Sequence, residues 1–218
     1  MSTNTGRRRG PYASTAQRRA RIGDAALEIV LERGYQDVSA AEVARRAGLT
    51  TATVTYHFPT RDELLVAALE ARERALSGSS LDGRLAHDAD IDVAKSIGEF
   101  AETRESNPHY LVLFGRMAAA AADPDHPARS WLRAHHERAR AGMAELLVAL
   151  QQRGQAHADV EPAQFARQMV AVWDGLQTQW LADPTFDLAA EVSVAFRSLS
   201  RADTAEAKRA IHALAADL

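Results

Sequence analysis

The sequence predicts an all-α fold, and three features lead there. Alanine occurs 45 times among 218 residues, while Val, Ile, Phe and Tyr are sparse; alanine has the highest helix propensity, and β-branched and aromatic residues favour strands. Hydroxyl residues followed three positions later by Glu or Gln, the mark of a capping box, recur early in the chain. Gly or Pro then closes segments whose apolar residues repeat at helical spacing, and roughly nine to ten helices are expected. The absence of cysteine excludes a disulfide framework, a thiolate zinc site, an iron–sulfur cluster and a cysteine nucleophile. No apolar run reaches the roughly 18 residues of a membrane span. No apolar h-region follows the arginine-rich N-terminus, so a cytoplasmic protein is expected.

Residues 1–13 are rich in Ser, Thr, Gly and Arg and read as a flexible basic arm. Ser14 and Gln17 form a possible capping box for a helix to about Arg33, with Ile22, Ala26, Ile29 and Val30 on one face and Gly34 as its stop. Ser39 and Glu42 open a short helix that ends at Gly48. Thr50 caps another, to about His57, which Pro59 prevents from continuing. Thr60 and Glu63 open a longer helix through Leu64, Leu65, Ala68 and Leu69. Ser77 to Asp90 reads as a loop, and a helix runs from about Asp92 to Asn107, where Pro108 suits the first turn of the next. After five consecutive alanines, Asp123-Pro124-Asp125-His126-Pro127 breaks the chain. Helices over 128–153, 162–181, 187–200 and 204–216 complete the pattern.

Charge divides unevenly. Residues 1–61 carry 10 arginines against 5 acids, whereas residues 62–218 carry 16 basic residues against 24 acids. A basic module joined to an acidic one suggests that the first part meets a polyanion, although a solubilising tail gives the same totals. The turn of about three residues between the two short helices fits a helix-turn-helix, whose second helix enters the DNA major groove. That helix would present Thr51, Ala52, Thr55 and Tyr56 outward and turn Val54 and Phe58 inward. The same spacing also suits an ordinary helical hairpin.

Ordered positions across this stretch narrow the choice. Ile22, Ala25-Ala26, Gly34-Tyr35, Val43-Ala44, Ala47-Gly48, Thr50, Tyr56-His57-Phe58, Arg61 and Leu64-Leu65 resemble the N-terminal domain of TetR-family transcriptional regulators. The resemblance implies an N-terminal three-helix helix-turn-helix domain (residues 14–60) and a C-terminal helical bundle (residues 61–218) for ligand binding and dimerisation. It puts Thr50, Thr51, Ala52, Thr55 and Tyr56 at the major groove and His57, Arg61 and Ser39 at phosphates. Arg7, Arg8 and Arg9 would reach an adjacent minor groove. This chain departs from the family in having Thr55 where many members place tyrosine, and Thr51-Ala52 in place of an early glycine or lysine. Because this helix has no Arg, Asn or Gln, bidentate base readout is unavailable from it, and methyl contacts and DNA shape are expected to carry specificity.

The later helices are apolar on more than one side. Phe165, Met169, Val172 and Leu176 form one stripe of the 162–181 helix, and Trp173 and Trp180 another; both sides need covering. The stretch from Trp173 to Pro184 is similar to one large TetR subgroup, in which the last two long helices pair with their symmetry mates. That implies Gly175, Leu176, Gln179, Trp180, Val192, Phe196 and Leu199 at a homodimer interface, although intramolecular packing is the plainer use of the same residues. Phe100, Leu111, Phe114, Met117, Trp131, Met143, Met169 and Trp173 are candidates to line a pocket for a largely apolar or aromatic effector.

His126, His135 and His136 read as solvated residues of the long helix rather than metal ligands. No phosphate loop, nucleophile elbow or paired-carboxylate motif is present, so neither catalysis nor a cofactor is implied. The leading expectation is a homodimeric regulator, with repression its expected mode, that binds a palindromic operator in double-stranded DNA and is released by a small-molecule effector. Repressor and activator use the same DNA-binding parts. The alternative is a helical small-molecule binding or carrier protein, or an enzyme of unrecognised site.

Overall fold

The computed structural model describes residues 11–76, 96–98 and 107–216, and among these there are helices and no strand. Arg7, Arg8, Arg9, Phe100, the 77–90 stretch and most of the helix expected from Asp92 lie outside the described residues. The elements are α1 (Pro11–Arg33), a single 3-10 turn (Tyr35–Asp37), α2 (Ala40–Ala47), α3 (Thr51–His57), α4 (Arg61–Leu76), α5 (Pro108–Ala120), α6 (Ala128–Gln152), α7 (Pro162–Ala182), α8 (Leu188–Ser200) and α9 (Ala202–Ala216).

Local chemistry explains most of the boundaries. α1 begins at Pro11, three residues before the expected start at Ser14, because proline is as well suited to a first helical turn as a hydroxyl is to the position before it. Thr60 and Glu63 form a complete reciprocal box: the Thr60 amide donates to Glu63 Oε2 at 2.8 Å, and the Glu63 amide donates to Thr60 Oγ1 at 3.2 Å. The Ser39 box is only half made. The Glu42 amide donates to Ser39 Oγ at 3.2 Å, but the Glu42 carboxylate turns to two arginines instead, because an ion pair outcompetes a neutral amide for a charged acceptor. Gly48 closes α2 in the left-handed region at φ 61°, ψ 41°, a conformation that costs a residue with a Cβ about 1–2 kcal/mol. α9 starts at Ala202, two residues ahead of expectation, because Arg201 turns the chain at φ 52°.

Two cores result. The first gathers the inward faces of α1 to α4, among them Ile22, Ile29, Val43, Val54, Leu65 and Leu69, with Leu113 and Met117 of α5 and Trp131 of α6. The second joins Leu146, Leu147 and Leu150 of α6 to Phe165 and Met169 of α7 and Val192 and Phe196 of α8. Each fully buried aliphatic or aromatic side chain contributes about 1.5–3 kcal/mol. α6 therefore belongs to both cores, anchoring at its start to the helices around the turn and at its end to α7 and α8. α1 and α4 pack so closely that a Cβ on Gly23 would stand 2.8 Å from the Ala67 carbonyl oxygen.

Candidate nucleic-acid interface and ligand cavity

α2, the Gly48 turn and α3 form the helix-turn-helix. The Thr50 hydroxyl caps α3 by accepting from the Thr53 amide at 3.2 Å and shares a second bond with the Thr53 hydroxyl at 2.8 Å. Val54 and Phe58 are buried in the first core, while Thr51, Ala52, Thr55 and Tyr56 are exposed. Tyr56 is 83% exposed, which is unusual for a large ring on a well-packed helix. Its ring meets His57 edge-on at 5.2 Å. The Thr55 hydroxyl donates back to the Thr51 carbonyl at 3.1 Å, so its donor is used within the helix. The sequence-expected face is thus assembled from Thr50 to Tyr56, with half-buried His57 at its end.

The other candidates on this module have mixed settings. Ser39 is exposed at the N-cap of α2. Arg61 is tied down: its guanidinium donates to the carbonyls of Tyr35 at 2.7 Å, Val38 at 2.9 Å and Gln36 at 3.1 Å. That bonding fixes the start of α4, the helix that follows α3. Arg19, absent from the sequence candidates, donates to the His57 carbonyl at 2.7 Å and lies 4.1 Å over the Phe58 ring. It braces the end of α3, and only the fold brings together residues 38 positions apart. Arg33, Arg45 and Arg46 are paired with acids of α1 and α2. The two guanidinium groups beside Glu42, Arg45 foremost and then Arg33, hold its carboxyl down to about 2.

Two small adjoining cavities lie between α5, α6 and α7. One, of about 80 Å³, is lined by His135, Ala139, Met143, Met169, Val170, Trp173 and Asp174. The other, of about 50 Å³, is lined by Leu76, Tyr110, Leu111, Phe114, His135, Trp173, Asp174 and Gln177. Of the pocket candidates, Met143 and Met169 line the first cavity, Leu111 and Phe114 the second, and Trp173 both. Met117 lines neither and is buried in the first core; Trp131, also of that core, stacks on His135 at 5.2 Å and borders a separate recess. This larger recess, of about 560 Å³ between α4 and α6, is walled by charges of both signs, including Arg19, Glu63, Glu70, Arg74 and the Glu73–Arg138 pair. Its lining carries no consistent chemistry.

The cavities have a polar side that the sequence did not reveal. His135 Nδ1 meets Glu73 Oε1 at 2.5 Å and His136 Nε2 meets Asp174 Oδ2 at 3.0 Å. These neighbouring histidines therefore bind α4 and α7, and His126 Nε2 meets Asp62 at 3.2 Å. The solvated reading of the three is corrected: each is part-buried against a carboxylate far away in sequence. Burial raises the Asp174 carboxyl above its ordinary value against the pull of His136. At Glu73 burial works in the same direction but is outweighed, chiefly by the His135 hydrogen bond, and the carboxyl lies below its ordinary value. Among the described residues no three His, Asp or Glu side chains gather as a metal-binding group.

The dimer candidates also separate. Gly175, Leu176, Gln179, Trp180 and Leu199 are exposed or half-covered, whereas Val192 and Phe196 are buried within the protomer, the latter edge-on to Phe165 at 5.6 Å. A stripe at helical spacing has two possible partners, and this one is taken by α7 of the same chain. The outward apolar residue on α8 is Val194, 63% exposed. No helix among the described residues is long and apolar enough to cross a membrane.

Comparison with known proteins agrees with this geometry. Residues 22–68 match the family described as bacterial regulatory proteins, tetR family, and residues 97–204 match the BetI-type transcriptional repressor, C-terminal. The chain is 24% identical over 169 residues to the HTH-type transcriptional regulator PksA of Bacillus subtilis (strain 168), covering 77% of this chain and 80% of that protein. A TetR transcription regulator from Haloarcula marismortui superposes with a TM-score of 0.65 at 21% identity, over 87% of this chain and 98% of that one. The Thermus thermophilus repressor FadR, solved in complex with lauroyl-CoA, superposes with a TM-score of 0.56 at 25% identity, over 83% and 92% of the two chains.

Proposed function

The chain belongs to the TetR family of bacterial regulatory proteins, and on that footing we propose that it is a cytoplasmic repressor that binds a palindromic operator as a homodimer and is released by a small, largely apolar or aromatic effector. The observation that carries the DNA-binding part is the face of α3. Thr51, Ala52, Thr55 and Tyr56 stand clear of the protein on a short helix whose other side is fixed by Val54 and Phe58. Small and methyl-bearing side chains let the backbone approach base edges, and threonine or alanine methyls suit the thymine methyl. Residues 14–60 serve as the reading unit in this proposal and residues 61–218 as the effector and dimer unit, with the Arg7, Arg8 and Arg9 arm adding minor-groove contact.

Dimerisation is supported by α7. Phe165 and Met169 in its first half are buried, but Val172, Trp173, Leu176 and Trp180 are only half covered by the protomer. A twofold dimer sets two copies of α3 about one or more helical turns of DNA apart. The effector reading draws on the apolar lining shared by Met143, Met169 and Trp173, and on a family neighbour solved with an acyl-chain ligand. An effector releases DNA if it binds better to the form whose half-site spacing does not fit. Alanine at Tyr56 and His57 together tests the DNA-binding face. Loss of the promoter footprint in a protein that still folds is expected; an unchanged footprint refutes the assignment of this face.

A further inference from the structure

Part of the basic character of the reading unit is cancelled at the junction of α1 and α2. Around the junction of α1 and α2, Arg33, Arg45 and Arg46 stand against Glu28, Glu32, Asp37 and Glu42, three cations against four carboxylates. The pairs are of two kinds. Arg46 is only 19% exposed and grips Glu32 with both terminal nitrogens at 2.7 and 2.8 Å, a clamp between α1 and α2. Glu42 takes Arg33 at 2.5 Å and a two-pronged Arg45 at 2.7 and 2.8 Å, and here the cations lie outward, Arg45 being 68% exposed. An isolated surface pair is worth about 0–1 kcal/mol, and a two-pronged arginine in a small network somewhat more, which a phosphate contact has to offset.

Position gives the second group its meaning. In a helix-turn-helix the first helix crosses the DNA backbone, and Arg45 lies in the last turn of α2, three residues before the Gly48 turn. A guanidinium fork that fits a carboxylate fits a phosphate equally well. Glu42 has also left the capping role that its spacing offered: unlike Glu63, which returns to the Thr60 amide, it directs both carboxylate oxygens to guanidinium groups.

We propose that Glu42 is a built-in competitor for DNA phosphate, which holds Arg45 and Arg33 in the free protein and gives them up to the duplex backbone on binding. The proposal rests on the DNA-binding reading above. The competitor lowers affinity for every sequence alike, because phosphate contacts carry no sequence information. It thereby leaves more of the choice of site to α3. The carboxylate acts as a positioning residue for the two arginines.

Glu42→Gln removes one charge, keeps the side-chain shape and leaves the backbone amide bond to Ser39 in place. Anisotropy titrations of a fluorescent random-sequence duplex over a salt series read the effect. In the wild-type complex the Glu42 carboxylate, left by its arginines, takes up a cation that the variant does not, one net charge per protomer and two per dimer, so Glu42→Gln steepens the log K against log salt slope by about 1.8. The advantage of the variant over wild type then shrinks about twelvefold between roughly 50 and 200 mM salt. Arg45→Gln in the Glu42→Gln background is expected to take back about one contact. Arg45→Gln alone is expected to make the wild-type slope shallower, which keeps the test decisive if Glu42→Gln folds poorly. A Glu42→Gln slope equal to that of wild type, or weaker binding with a lower melting temperature, overturns the proposal, because a mere α1–α2 clamp gives the latter. Failure of the wild type itself to bind duplex DNA in a salt-dependent way overturns the DNA-binding reading, a separate outcome.

Discussion

Gly175 offers a quantitative test of the dimer. Among the described residues of the protomer, a Cβ built on Gly175 meets nothing within 4 Å, and the same holds for Gly115 in α5 and Gly142 in α6. In an isolated protomer, alanine at Gly175 or Gly142 should therefore stabilise by about 0.8–1 kcal/mol through helix propensity. If two copies pair through α7, Gly175 differs from Gly142, because its new methyl enters space filled by the partner helix. Overpacking costs about 1–3 kcal/mol per site, and twofold symmetry applies it at two sites. The propensity gain is common to monomer and dimer and cancels from the association step. A penalty of about 2 kcal/mol or more per dimer raises the dimer Kd about thirtyfold. Sedimentation equilibrium over a dilution series, with Gly142→Ala as the control, measures it. A Gly175→Ala protein that is stabilised like the control and dimerises like wild type refutes close approach of α7 to its symmetry mate.

Two other outcomes follow from the polar contacts. Arg61→Gln removes the charged donor from three backbone carbonyls; a loss of about 1–3 kcal/mol is expected, read as a melting temperature lower by about 2–4 °C per kcal/mol. An unchanged melting temperature would show that these bonds do not hold the start of α4. Asp174 and Glu73 should respond to pH with opposite signs. The Asp174 value is raised in the folded protein, so its contribution is present below the unfolded value and lost as pH rises through the folded one. The Glu73 value is lowered, so its contribution is present above the unfolded value and lost as pH falls through the folded one. In urea melts between about pH 3 and pH 5, below the histidine range, wild type should lose ground to Asp174→Asn as pH rises and gain on Glu73→Gln. The same sign for both variants would contradict the assignment.

Helices were legible in the sequence wherever local chemistry sets them. The caps at Thr50 and Thr60 and the stops at Gly48 and Pro59 act within a turn of the residues that they terminate, so α3 and α4 have the expected limits. The exposed side of α3, with Thr51, Ala52, Thr55 and Tyr56, was readable for the same reason: one short helix with a buried side leaves its other side exposed. Contacts between distant segments were not readable. Nothing near His135 or His136 announces Glu73, 62 positions back, or Asp174, 38 ahead, and so the sequence offers only apolar candidates for a pocket and not the polar side of these cavities. The inward turn of Val192 and Phe196 has the same origin, since periodicity identifies a stripe without saying which helix covers it. Glu42 shows the limit of a local motif: its spacing from Ser39 spells a capping box, and two arginines brought in by the fold take the carboxylate instead.

Selection of bound sequences from a random duplex pool, with the mass in solution measured on the same sample, tests the proposed function most directly. The expected result is enrichment of a palindromic motif by a species of twice the 23.7 kDa chain mass. A folded protein that enriches no sequence even at low salt would contradict it.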